Sequence, residues 1–92
     1  MENVSVHLIV EGRVQGVCYR DSTRIKAAKL EIRGWVKNRR DGNVEIVAEG
    51  SEANIRKFVE WCHEGPPYAV VSKIAESIRE FRNEFDSFNI VF

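Results

Sequence analysis

The sequence predicts an α+β fold: a ferredoxin-like α/β sandwich in which an antiparallel sheet carries two helices on one face. Three observations predict it. Apolar and polar residues alternate in the first segment and again near the end of the chain, the period of a half-buried strand. Two intervening stretches place apolar residues three and four apart, the period of a helix with one buried stripe. The resulting order is β-α-β-β-α-β with an additional C-terminal strand, and helices that each bury a single stripe must cover one face of one sheet. The 92 residues are read as a single domain, 1–92, large enough to hold a core without disulfides or metal staples.

The first strand runs from Asn3 to Glu11, with Val4, Val6, Leu8 and Val10 alternating against Ser5, His7 and Glu11. It leads into a loop containing Gly12 and Gly16. A helix is expected over Ser22 to Leu30, with Asp21 and Ser22 as start signals and Ile25, Ala28 and Ile32 at helical spacing. The second strand, Gly34 to Arg39, meets the third, Asn43 to Glu49, across Arg40-Asp41-Gly42. Asp-Gly between two apolar segments is a strong hairpin signal, because glycine accepts positive φ at little cost. Ser51 caps the second helix and Glu52 sits in its first turn, where the helix dipole favours negative charge. Ile55, Phe58, Val59 and Cys62 form its buried stripe, and Gly65-Pro66-Pro67 ends it. The fourth strand is expected over Tyr68 to Ile78 with a bulge near Ser72. The segment from Asp86 to Phe92, alternating Phe88, Ile90 and Phe92, closes the sheet.

Fourteen basic and fourteen acidic residues cancel. A neutral domain has no global field to hold nucleic acid or an anionic membrane, so any anion must be held by a local device. No paired aromatics stand in an RNA-recognition pattern. No apolar run approaches a bilayer span, and the start MENVSVHLIVEG lacks a basic leader and a cleavage site. A cytoplasmic location is expected. Cys18 and Cys62 match no metal-ligand spacing and are expected to be reduced.

The chemistry lies in Gly12-Arg13-Val14-Gln15-Gly16-Val17-Cys18-Tyr19-Arg20. A loop between a strand and a helix can curl until successive N–H groups converge, and the first N–H groups of the helix add to them. Gly16 lets the backbone approach an anion. Arg20 supplies a planar fork matched to phosphate oxygens. The absence of a Gly-Lys-Ser/Thr ending excludes a Walker loop. On spacing alone, a glycine-containing turn with a surface arginine stays open as the alternative.

Gly12 to Arg20, followed by Gly34-Trp35-Val36-Lys37-Asn38, resembles the signature pair of the acylphosphatase family. The Asp41-Gly42 hairpin, Glu49-Gly50, Gly65-Pro66-Pro67 and Phe88-Asn89-Ile90 extend the resemblance over nearly the whole chain. It implies hydrolysis of the carboxyl–phosphate bond of acyl phosphates, giving carboxylate and inorganic phosphate, the latter being product and inhibitor. It implies that Arg20 binds phosphate, that Asn38 orients the attacking water, and that Gln15, Gly16, Val17, Cys18 and Tyr19 supply the backbone cradle. No metal, no cofactor, no nucleic-acid or membrane partner and a monomeric state are expected. Two departures stand out: Glu31 occupies a position where the family has glycine, which would cost about 1 kcal/mol in a left-handed cap, and Cys18 fills a variable motif position. His7 is expected on the outer sheet face and His63 at the end of the second helix, without catalytic roles. Arg39 and Arg40 are read as a solvated hairpin edge, with attraction of anions toward Asn38 as the alternative.

Overall fold

The computed structural model describes residues 2–92. Its elements are β1 (Asn3–Arg13), α1 (Tyr19–Lys29), β2 (Arg33–Asn38), β3 (Val44–Ser51), α2 (Glu52–Glu64), β4 (Val70–Arg79) and β5 (Phe88–Ile90). The order is the expected one, with strand ends displaced by a few residues. Alternation in β1 sends Val6, Leu8 and Val10 into the core, where they meet Val44, Ile46 and Ala48 of β3 and the buried faces of both helices.

The five strands lie in the order β4-β1-β3-β2-β5. The first four pair antiparallel, but β5 runs parallel to β2, with Gly34 opposite Phe88 and Val36 opposite Ile90. The sheet is therefore mixed, which corrects the antiparallel expectation. The reason is geometric: β4 and β5 occupy opposite edges, so the chain must cross the sheet after Arg79 and enters the far edge in the direction of β2. The crossing segment passes over Glu49, whose Oε1 accepts from the Phe85 N–H at 3.3 Å. Glu49 alternates with core-facing Ala48, so the crossing covers the face opposite the helices, and Glu49 is fully buried.

The bulge falls at Ser72: Glu11 pairs with Lys73 and Gly12 with Val71. Gly12 is required at this crowded point, because a Cβ there would lie 2.1 Å from the Val70 carbonyl oxygen.

Helix α2 follows its sequence signals. Ser51 Oγ accepts from the Asn54 N–H at 3.3 Å, and Ile55, Phe58 and Cys62 are buried. Full burial of a side chain such as Phe58 contributes about 1.5–3 kcal/mol.

Helix α1 departs from expectation. It begins at Tyr19, not Ser22, and buries Tyr19, Thr23 and Ala27, while Ile25 is 49% exposed. The stripe is set by Tyr19, which the motif reading had left in the loop. Thr23 can be buried because its hydroxyl donates to the Tyr19 carbonyl at 2.7 Å. The helix ends in a Schellman arrangement, with Ile32 N–H donating to Ala27 O and Glu31 N–H to Ala28 O. Glu31 takes φ 55° there, so the turn keeps its left-handed form and glutamate carries the strain.

Candidate active site

Strand β1 ends beside the hairpin that joins β2 to β3, because β1 and β2 both pair with β3. The loop after β1 and the end of β2 are thereby brought to one edge of the molecule. They enclose a cavity of about 370 Å³ lined by Val14, Gly16, Cys18, Tyr19, Arg20, Asp21, Asn38, Ile90 and Phe92. Arg20 and Asn38 thus share one cavity.

The loop carries two left-handed residues, Gly16 at φ 76° and Cys18 at φ 65°. Such interruptions turn successive N–H groups toward a common side. A Cβ on Gly16 would meet no protein atom within 4 Å; glycine is needed there for its conformation and for the open space in front of it. Cys18 holds the same conformation without that freedom, a strain of about 1 kcal/mol or more at the helix start. It is the N-cap of α1 and makes no side-chain capping bond. The first helical N–H groups therefore remain available as donors, and the helix dipole favours an anion at this end. Asp21 in the first turn also lines the cavity, so the rim carries one negative charge.

Arg20 is half-buried, and its Cζ stands 5.2 Å from the centroid of the Phe92 ring. Asn38 Oδ1 is buried and accepts no hydrogen bond from another group among the described residues. A buried acceptor left unmade costs about 1–3 kcal/mol; Asn38 as a residue lines the cavity. A hollow of about 560 Å³ on the other side of Asn38 and Phe92 is lined by Lys37, Arg39, Arg40 and Glu45. Arg39 pairs with Asp41 at 3.0 Å and Lys37 with Glu45 at 3.8 Å, while Arg40 has no ion-pair partner among the described residues.

The remaining residues expected in the cradle have distinct surroundings. The Gln15 side chain turns away from the cavity and donates to the carbonyls of Arg39 and Asn43. Val17 packs against the core. Tyr19 is buried, and its hydroxyl donates to the Cys62 carbonyl at 2.7 Å, tying the start of α1 to the end of α2. Burial pushes the Tyr19 hydroxyl far above its ordinary pKa, so it stays a donor. His7 Nε2 lies 2.7 Å from Glu45 Oε2, and His7 does not line the cavity. Three features escaped the sequence reading: the Gln15 bridge, the Asp21 carboxylate and the Phe92 ring. Only Phe92 had a signal, as the last member of the Phe88, Ile90, Phe92 alternation.

Comparison with known proteins decides the family. The family model described as Acylphosphatase matches residues 6–90. The chain belongs to the acylphosphatase family. It is 42% identical over 92 residues to the acylphosphatase of Pelotomaculum thermopropionicum, covering 100% of both chains. It is 51% identical over 82 residues to the acylphosphatase of Marinobacter nauticus, covering 89% of each. The crystal structure of acylphosphatase from Bacillus subtilis superposes with a TM-score of 0.93 at 40% identity, over 97% of this chain and 99% of that one. Membership of the acylphosphatase family makes this chain an enzyme that hydrolyses acyl phosphates. Among the described residues no helix is long and apolar enough to cross a membrane.

Proposed function

We propose that the cavity hydrolyses acyl phosphates with Arg20 and the loop N–H groups holding the phosphoryl group and Asn38 orienting the attacking water. The observation that carries this reading is that Arg20 and Asn38, distant in sequence, line one cavity with the Gly16–Cys18 loop. Arg20 neutralises charge on the equatorial oxygens and fixes their orientation through its fork. The N–H groups of the left-handed loop and of the helix start add fixed partial charge at no cost of reorganisation during the reaction. Asn38 Oδ1 accepts a hydrogen bond from water, which places the oxygen for in-line attack on phosphorus.

The substrate makes modest demands. A carboxylate is a good leaving group, and phosphoryl transfer asks the protein for positioning and charge stabilisation more than for covalent chemistry. No histidine lies in the cavity to serve as base, and the substrate phosphate takes the proton as water attacks. Inorganic phosphate occupies the same cradle as product and competes with substrate. The test is hydrolysis of benzoyl phosphate by wild type and Arg20→Ala, with chelator present throughout. Release of benzoate and phosphate by wild type alone supports the reading; equal rates in both proteins would overturn the role of Arg20.

A further inference from the structure

The cradle and Arg20 account for the phosphate end of the substrate and leave the acyl end without a residue. The cavity of about 370 Å³ holds on the order of ten water molecules at about 30 Å³ each, more than a phosphoryl group fills. Of its apolar lining residues, Val14 and Tyr19 are each 1% exposed and belong to the core. Ile90 is half-buried and Phe92 is 98% exposed. Phe92 is therefore the main apolar surface that the cavity offers to a ligand.

Its placement is built into the fold. Ile90 is in register with Val36, and the Val91 N–H donates to the Val36 carbonyl at 2.9 Å. The backbone is thus fixed to β2 up to the residue before the ring, close to Asn38. Arg20 Cζ stands over one face of the ring, 5.2 Å from the centroid, an approach that leaves the side chain 98% exposed. The exposure of the side chain leaves the other face to solvent. The ring also lines the second hollow, so it stands at the division between the two.

We infer that Phe92 is the acyl-recognising residue of this site: its free face packs on an apolar, and best an aromatic, acyl group, with the Arg20 guanidinium standing over the other face. The inference rests on the acyl phosphate reading given above. Apolar area left in water is gained back when a ligand covers it, and stacked or edge-on aromatic pairs add a further increment of about two- to tenfold in affinity. An acetyl group has too little surface to draw on either effect.

The experiment measures kcat/KM for benzoyl phosphate and for acetyl phosphate in wild type, Phe92→Leu and Phe92→Ala. Truncating so exposed a side chain opens no core cavity, and circular dichroism checks that each variant is folded. The benzoyl-to-acetyl ratio should fall about two- to tenfold in Phe92→Ala, with Phe92→Leu between. An unchanged ratio overturns the inference even if both rates drop together, since that pattern belongs to a ring that only orients Arg20. A folded wild type that hydrolyses neither compound overturns the underlying reading, and the inference with it.

Discussion

Gln15 bonds to the main chain of Arg39, its Nε2 donating to the Arg39 carbonyl at 2.8 Å and to the Asn43 carbonyl at 2.9 Å. The loop after β1 is thereby fastened to the hairpin that follows Asn38. Gln15→Ala should lower stability by about 1–2 kcal/mol, the loss of two part-buried hydrogen bonds. Turnover of the folded variant should fall as well, because Asn38 loses its registration against the cradle. Gln15→Glu should be worse, setting a carboxylate against two carbonyl oxygens. Urea denaturation and kcat measured side by side test this; wild-type values in both variants would show the bridge to be idle.

Arg20→Ala should reduce kcat/KM by about 10²–10³, the loss typical of one preorganised donor at a developing charge. Arg20→Lys should not restore it, because an ammonium cannot reproduce a bidentate fork. Phosphate inhibition should weaken in parallel. Steady-state kinetics with phosphate as inhibitor decide it, and near-wild-type rates in Arg20→Lys count against the role.

Asn38→Ala should lower kcat strongly while leaving the inhibition constant for phosphate almost unchanged, the signature of a group that acts on water. Asn38→Asp should fail too, since a carboxylate beside a phosphate adds repulsion. Parallel losses in kcat and phosphate affinity would make Asn38 a phosphate contact.

The two thiols should separate cleanly under iodoacetamide. Cys18 is exposed at the cavity, whereas Cys62 is buried, and burial pushes its thiol up to about 12. Thiolate is the reactive form, so peptide mapping of the native protein should find label on Cys18, none on Cys62, and slower labelling with phosphate present. Cys18→Ala should retain turnover. Abolished turnover in a folded Cys18→Ala that still binds phosphate would point to covalent catalysis.

Glu31→Gly should raise stability by about 0.5–1 kcal/mol, relieving a left-handed residue at a helix end against the extra freedom of glycine in the unfolded chain. For a domain of this size that is a rise of about 2–8 °C in Tm. Activity should not change, because Glu31 lies outside the cavity. A lower Tm would mean that the Glu31 side chain contributes a contact worth more than the strain.

Most of the fold was legible because its signals are local. The alternation of β1, the Asp41-Gly42 turn, the Ser51 cap and the Ile55, Phe58, Cys62 stripe each act within a few residues, and all four stand in the structure. The misreadings have one cause in common. The start of α1 depends on Tyr19 being drawn into the core by the Cys62 carbonyl, far along the chain. The parallel pairing of β5 depends on which edge of the sheet is vacant after β4 has docked against β1. For the site, the motif singles out Arg20 and Asn38, and the structure brings the two to one cavity. Neither the Gln15 bridge nor the approach of Arg20 to the Phe92 ring has a local signature, since both join segments distant in sequence.

The position of β1 between β3 and β4 has a consequence for when the enzyme comes into being. The strand that leads into the Gly12–Arg20 segment is flanked on one side by β4, which follows it by most of the chain; Arg79 Nη1 and Ser5 Oγ meet 3.5 Å apart across 74 positions. Closing so long a stretch is entropically slow, and topologies dominated by such contacts fold later than local ones. The loop after β1 should therefore gain its final support only when β4 has been made and has docked beside β1. Activity is expected to arrive with the last quarter of the polypeptide, which carries β4 and β5.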